Sequence, residues 1–170
     1  MSEMPPDLRE LYFIFGVTAE KVQVMETAAG NAALAYVTFF VDTSNITPEM
    51  TEWFKQLVDD VNSKTFGALL RTIKKSIHIG EDILTVIDEA LEKRNYITHR
   101  FFPHHNFAIH SEEGRQTMID ELVDIGQKFD HAHVLLEGLA SCLHQLAGRP
   151  ADFGMEEGKR LEARGKRVNI

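Results

Sequence analysis

The chain has 170 residues, enough for one domain with a buried core. Apolar residues make up 44% and charged residues 26%, which excludes a disordered or fibrous chain, and 11 Gly with 5 Pro argue against a turn-rich β-sandwich. A net charge of -8 excludes polybasic nucleic-acid binding over the whole surface, and the single cysteine, Cys142, excludes an intramolecular disulfide or a cysteine-rich zinc site.

Residues 1–17 read as an N-terminal arm. Pro5 and Pro6 argue against a helix at the start. Leu11 to Phe15, ended by Gly16, is readable as an extended arm or as a first helical turn. The acidic beginning has no apolar signal segment. The longest apolar run, Ala32 to Val41, is ten residues with Tyr36 and Thr38 inside it, too short for a bilayer. A soluble cytoplasmic protein without membrane contact is the expectation.

Residues 18–148 read as an all-α, antiparallel helical bundle of four main helices plus a short one. Thr18 is the expected N-cap of the first helix. Val22, Met25, Ala29, Ala32, Tyr36 and Phe39 follow at helical spacing, and Ala28, Ala33 and Ala35 allow close approach by a neighbour. This helix is expected to end near Asp42, before Thr43-Ser44-Asn45. Thr47-Pro48-Glu49 starts a second helix carrying Met50, Phe54, Leu57, Val58 and Val61, with Trp53 read as core or interface. Thr65 or Ser63 caps a short helix with Leu69, Leu70 and Ile73, on which Arg71, Lys74, Lys75 and His78 form a basic cluster read as a solvated face.

Gly80-Glu81-Asp82 opens the next helix. Ile83, Ile87, Ala90, Leu91, Thr98 and Phe101 share its face to about Phe102, and Pro103 stops the helix or sits just past its end. After a loop from His104 to His110, Ser111-Glu112-Glu113 caps the last helix. There Met118, Leu122, Ile125, Phe129, Ala132, Leu136, Leu139, Leu143 and Leu146 alternate steps of 4 and 3 as a bundle seam. Gly148 and Pro150 end it. The stretch 149–170 is a polar, weakly basic tail with six Lys and Arg against four acids.

Common phosphate-cradling, nucleophile-elbow and HExxH motifs are absent. What remains is Arg94-Asn95-Tyr96-Ile97-Thr98-His99. On a helical wheel Arg94 falls at about -20° from Ile87, inside the apolar stripe. A guanidinium there needs an acid, carbonyls or an anionic ligand, because an unpaired buried charge is costly. Glu26, Asp124 and Asp130 are the candidate acids. Asn95 and His99, four apart, share an adjacent face.

This hexapeptide resembles the Arg-x4-6-His motif of the HEPN (higher eukaryotes and prokaryotes nucleotide-binding) family, in which a polar residue commonly follows the arginine, as Asn95 does. Its place late in a long helix of an all-α bundle is also similar. The resemblance implies a metal-independent endoribonuclease of toxin or defence type, working as a homodimer with two motifs on one cleft. It also allows a non-catalytic nucleotide- or protein-binding regulatory module. Arg94, Asn95 and His99 would be catalytic, RNA the substrate, and an antitoxin or regulatory protein a partner. Where nucleotidyltransferase-controlled toxins carry a tyrosine two residues after the histidine, this chain has Phe101. No cofactor is implied.

The remaining histidines read differently. His104, His105 and His110 match no standard metal spacing and read as solvated or phosphate-contacting side chains. His131, His133 and His144 read as helix-surface or interhelical groups. Arg94 and His99, five apart, lie about 140° apart on an ideal helix. They converge only if the arginine arm reaches round, the helix loosens, or a second chain completes the site.

Overall fold

A computed structural model describes residues 4–39, 47–76 and 79–149. The expected helix end at Asp42 to Asn45, His78 and the tail from Pro150 lie outside these residues, as do the side chains of Phe54, Ile73 and Lys75. The described residues contain six α-helices and no strand: α1 (Pro6–Phe39), α2 (Pro48–Ser63), α3 (Phe66–Ser76), α4 (Glu81–His99), α5 (Phe101–His104) and α6 (Glu112–Leu146), with a 3-10 turn at Ala108–His110. The chain is an all-α helical bundle. No helix among the described residues is long and apolar enough to cross a membrane.

The first helix starts earlier than expected. Pro6 opens α1 because a proline at the first helical position lacks only an N–H that would have no intrahelical acceptor. Asp7 follows in the first turn, where a carboxylate suits the dipole. Thr18 is therefore no cap. It is 2% exposed in mid-helix, and its hydroxyl donates to the Ile14 carbonyl at 2.9 Å. Gly16 continues the helix rather than ending it.

The chain forms two compact units. The first comprises Met1–Met25 and Ile79–Val134, the second Glu26–His78 and Leu135–Ile170, so α1 and α6 contribute to both. In the first unit α1 and α6 run in the same direction: Asp7 meets Arg115, and Lys21 meets Asp130. There α4 runs antiparallel to α6, with Glu89 paired to Lys128 and Tyr96 facing Glu121. The core of this unit is Leu11, Met25, Ile87, Phe101, Met118, Leu122, Ile125 and Phe129, all at most 1% exposed.

In the second unit, the α1 alanines 28, 29, 32, 33 and 35 are at most 2% exposed. Small side chains there let neighbouring helices approach closely. Thr47 caps α2 by accepting from the Met50 N–H at 3.3 Å, as its sequence foretells. Trp53, read as core or interface, is 43% exposed in this chain. The α6 seam is buried from Met118 to Leu143 except for half-buried Leu139, and Leu146 is 69% exposed.

The end of α6 carries a paired C-terminal motif. Gly148 has φ 71°, its N–H bonds the Gln145 carbonyl at 3.0 Å, and the Arg149 N–H bonds the His144 carbonyl at 2.9 Å. Arg149 belongs to the folded body rather than to a tail. It is 9% exposed and donates to Thr38 Oγ1 at 3.1 Å and to the Thr38 carbonyl at 2.6 Å.

Candidate functional site

The candidate site lies wholly in the first unit, at the C-terminal end of α4. That helix stops at His99, and Arg100 takes φ -129° and ψ -17° before the single turn of α5. Pro103 explains the break, because it has no N–H to donate to the His99 carbonyl. Pro103 sits inside α5, in a first turn that tolerates a missing donor, rather than beyond the helix end.

Arg94 leaves α4 on its inward side but is half-buried, not buried. The residues that pack inward are Ile87, Ala90 and Ile97, followed by Phe101 in α5; Thr98, assigned to the apolar face by its spacing, is exposed and donates to the Arg94 carbonyl at 2.8 Å. The Arg94 guanidinium reaches round the helix. Its Nη1 donates to Asn95 Oδ1 at 3.2 Å. Asn95 is about 100° from Arg94 on the wheel, and His99 a further 40° or so round and one turn on. Asn95 and His99 are both exposed.

Of the candidate acids, Asp130 pairs with Lys21, and Asp124 lies 3.8 Å from Lys128. Glu89 also pairs with Lys128, whose hydrogen bond holds that carboxyl below the usual carboxylate range.

A second constellation flanks the motif, and the spacing of the histidines does not reveal it. Tyr96 Oη lies 3.3 Å from His105 Nε2, and the same Nε2 lies 2.6 Å from Glu121 Oε2. The His105 side chain is 11% exposed and that of Glu121 31%. Burial pushes the Tyr96 hydroxyl up to about 12, reinforced by the charge and hydrogen bonding of Glu121. The His104 ring stands edge-on to Tyr96 and to His105, at centroid distances of 5.9 and 4.9 Å, and Phe101 packs on His105 at 4.9 Å. Lys93 Nζ lies 5.6 Å from the Tyr96 ring centroid.

Glu121 supplies the carboxylate from α6, sixteen residues beyond His105. Sequence distance hides it; the only clue is that Glu121 precedes a buried seam position, Leu122. His110 is exposed and closes the 3-10 turn. Among the described residues no group of three or more His, Cys, Asp or Glu is arranged to hold a metal ion.

Glu112, Glu113, Gln116, Thr117 and Asp120 form one exposed face of α6, with no residue from α4. Its two glutamates and one aspartate would repel a phosphate. Arg94, Asn95 and His99 thus share one accessible helix end, while Tyr96, His104 and His105 belong to a tethered corner beside it. Compared with family models, with curated proteins and with solved structures, the chain shows no match.

Proposed function

We propose that the chain is a HEPN-like, metal-independent endoribonuclease whose site is Arg94, Asn95 and His99. The observation that carries this reading is the Arg94–Asn95 hydrogen bond, which turns the guanidinium toward the face where His99 is exposed. A guanidinium offers paired donors to a phosphate, and it stabilises the charge that builds on the phosphorane oxygens. An imidazole at a solvent-facing helix end is placed to accept or donate a proton.

The reaction balances without a metal. The 2'-hydroxyl oxygen attacks the adjacent phosphorus as its proton passes to an imidazole. The bond from phosphorus to the 5'-oxygen breaks, and that oxygen takes a proton. The products are a 2',3'-cyclic phosphate and a 5'-hydroxyl. A homodimer would supply a second His99, so that one imidazole accepts the proton and the other donates it.

The test is incubation of the purified protein with single-stranded RNA in excess chelator. The wild type yields cyclic-phosphate ends, and His99→Ala or Arg94→Ala lowers the rate by about 100-fold to 10,000-fold. Equal cleavage by wild type and His99→Ala, or no cleavage by any of the three, refutes the reading.

A second reading is a non-catalytic nucleotide- or protein-binding module. The net charge of -8 favours it, because an acidic body weakens general affinity for RNA. It requires loss of binding in Arg94→Ala with no hydrolysis at any stage, and turnover by the wild type eliminates it.

A further inference from the structure

Glu121, on α6, is a positioning residue for His99: we infer that it fixes the His99-bearing turn through His105 and Tyr96. This rests on the reading of His99 as the proton-transfer group. His99 is the last residue of α4, and the chain bends immediately after it at Arg100. Tyr96 lies three residues before His99 and His105 six residues after. Their side chains meet across the bend at 3.3 Å, closing residues 96–105 on themselves.

Glu121 Oε2 then takes the His105 Nε2–H at 2.6 Å and lies against the Tyr96 hydroxyl. One carboxylate therefore holds both ends of the turn. It stands on a stiff support: Met118, Leu122 and Ile125 of the same helix are 0% exposed. Phe101, also 0% exposed, fills the inside of the corner against Tyr96 and His105.

The clamp has a physical purpose. Pro103 removes one helical hydrogen bond at the bend. The main-chain bonds from the Arg100 N–H to the Tyr96 carbonyl and from the His104 N–H to the Arg100 carbonyl, both 2.8 Å, remain, and the clamp adds side-chain bonds to them. A proton-transfer group that wanders by about 1 Å loses on the order of 100-fold in rate. Tyr96, with its raised pKa of about 12, stays protonated and able to donate at every pH in which a folded protein is ordinarily handled.

The experiment compares wild type, Glu121→Ala, Glu121→Gln and Tyr96→Phe by hydrogen exchange over residues 97–104 and by RNA cleavage. Glu121→Ala should speed exchange there on the order of tenfold while amides of α1 keep their protection. It should lower kcat about 100-fold with KM little changed. Glu121→Gln keeps an acceptor of the same shape and should restore protection and most of kcat. The absorbance titration of tyrosinate should show the highest tyrosine transition moving down from about 12 in Glu121→Ala.

Unchanged exchange over 97–104 in Glu121→Ala overturns the inference, whether or not RNA is cut. A loosened turn with kcat intact overturns it too. A loosened turn in a protein whose wild type cuts no RNA leaves the clamp standing and removes the catalytic role of His99 instead. Should Glu121→Ala lose its helical circular dichroism, Tyr96→Phe, which deletes one hydroxyl, carries the same test.

Discussion

A guanidinium rooted on the inward side of a helix must be paired or must leave. Arg94 stays half-buried there, and its long arm carries the guanidinium to the Asn95 side chain. Fork geometry should therefore matter more than charge. Arg94→Lys keeps the charge but presents no paired donors, and it should lose at least about tenfold of the proposed RNA cleavage. A kinetic assay in chelator checks this, and full activity in the lysine variant would show that the fork is dispensable. Gly114 is a second residue whose identity the structure explains. A Cβ there would sit 2.1 Å from the Ala108 carbonyl oxygen, which is main chain and cannot turn away. Gly114→Ala should destabilise the fold by about 1–3 kcal/mol in urea unfolding. An unchanged midpoint would mean that the 3-10 turn moves freely.

Among the elements, α1 was the least legible from sequence. Pro5, Pro6 and Gly16 are local helix-breaking signals, and Thr18 looks like a cap. Helix α1 runs through Gly16 and Thr18 because Leu11, Val22 and Met25 bury one stripe and Asp7 pairs with Arg115 of α6 at 2.5 Å. Packing outweighs propensity when a glycine costs about 1 kcal/mol. Gly16 is exposed, and a Cβ there meets nothing within 4 Å. Gly16→Ala should then stabilise the protein by about 0.5–1 kcal/mol, read as a higher thermal midpoint. A fall would show that residues 6–17 are not helical in solution. The α6 seam, by contrast, was readable, because a strict 4-3 alternation admits one buried stripe. Leu136 is 0% exposed on it, and Leu136→Ala should cost about 2–5 kcal/mol. A loss under 1 kcal/mol would place that position outside the core.

Over the whole molecule, acidity and the Arg149 anchor set the response to conditions. Burial, and then the nearby Arg149 charge, hold His144 below its ordinary value of 6.5. The folded state resists protonating this imidazole while the unfolded chain does not. Stability is thus greatest above about pH 6.5 and declines as the pH falls below it, until the lowered folded pKa is passed. His144→Gln should flatten that decline, seen by comparing thermal midpoints of the two proteins between about pH 5 and 8. Parallel curves would exclude His144 as the source. If RNA is bound, a net charge of -8 and the few cations at the end of α4 call for a shallow dependence on salt. The slope of log K against log salt should be no steeper than about -2. A steeper slope would mean an RNA path far larger than the motif.

The amino-acid order alone determined the helical class, the start of α2 and the α6 seam, and it singled out Arg94, Asn95 and His99 as candidates. Each of these is written within a few turns of chain, in caps, in 4-3 spacing or in a hexapeptide, and nearby residues suffice to express it. Tertiary structure decided the rest: the early start of α1, the parallel course of α1 and α6, the seat of Arg149 on Thr38, and Glu121 beneath His105. These depend on which distant side chains meet once apolar stripes are buried. Partners separated by 16 to 111 positions leave no spacing to read. The direction of the Arg94 arm belongs to the same class, since a long side chain on the edge of a stripe can turn either way until its surroundings are in place.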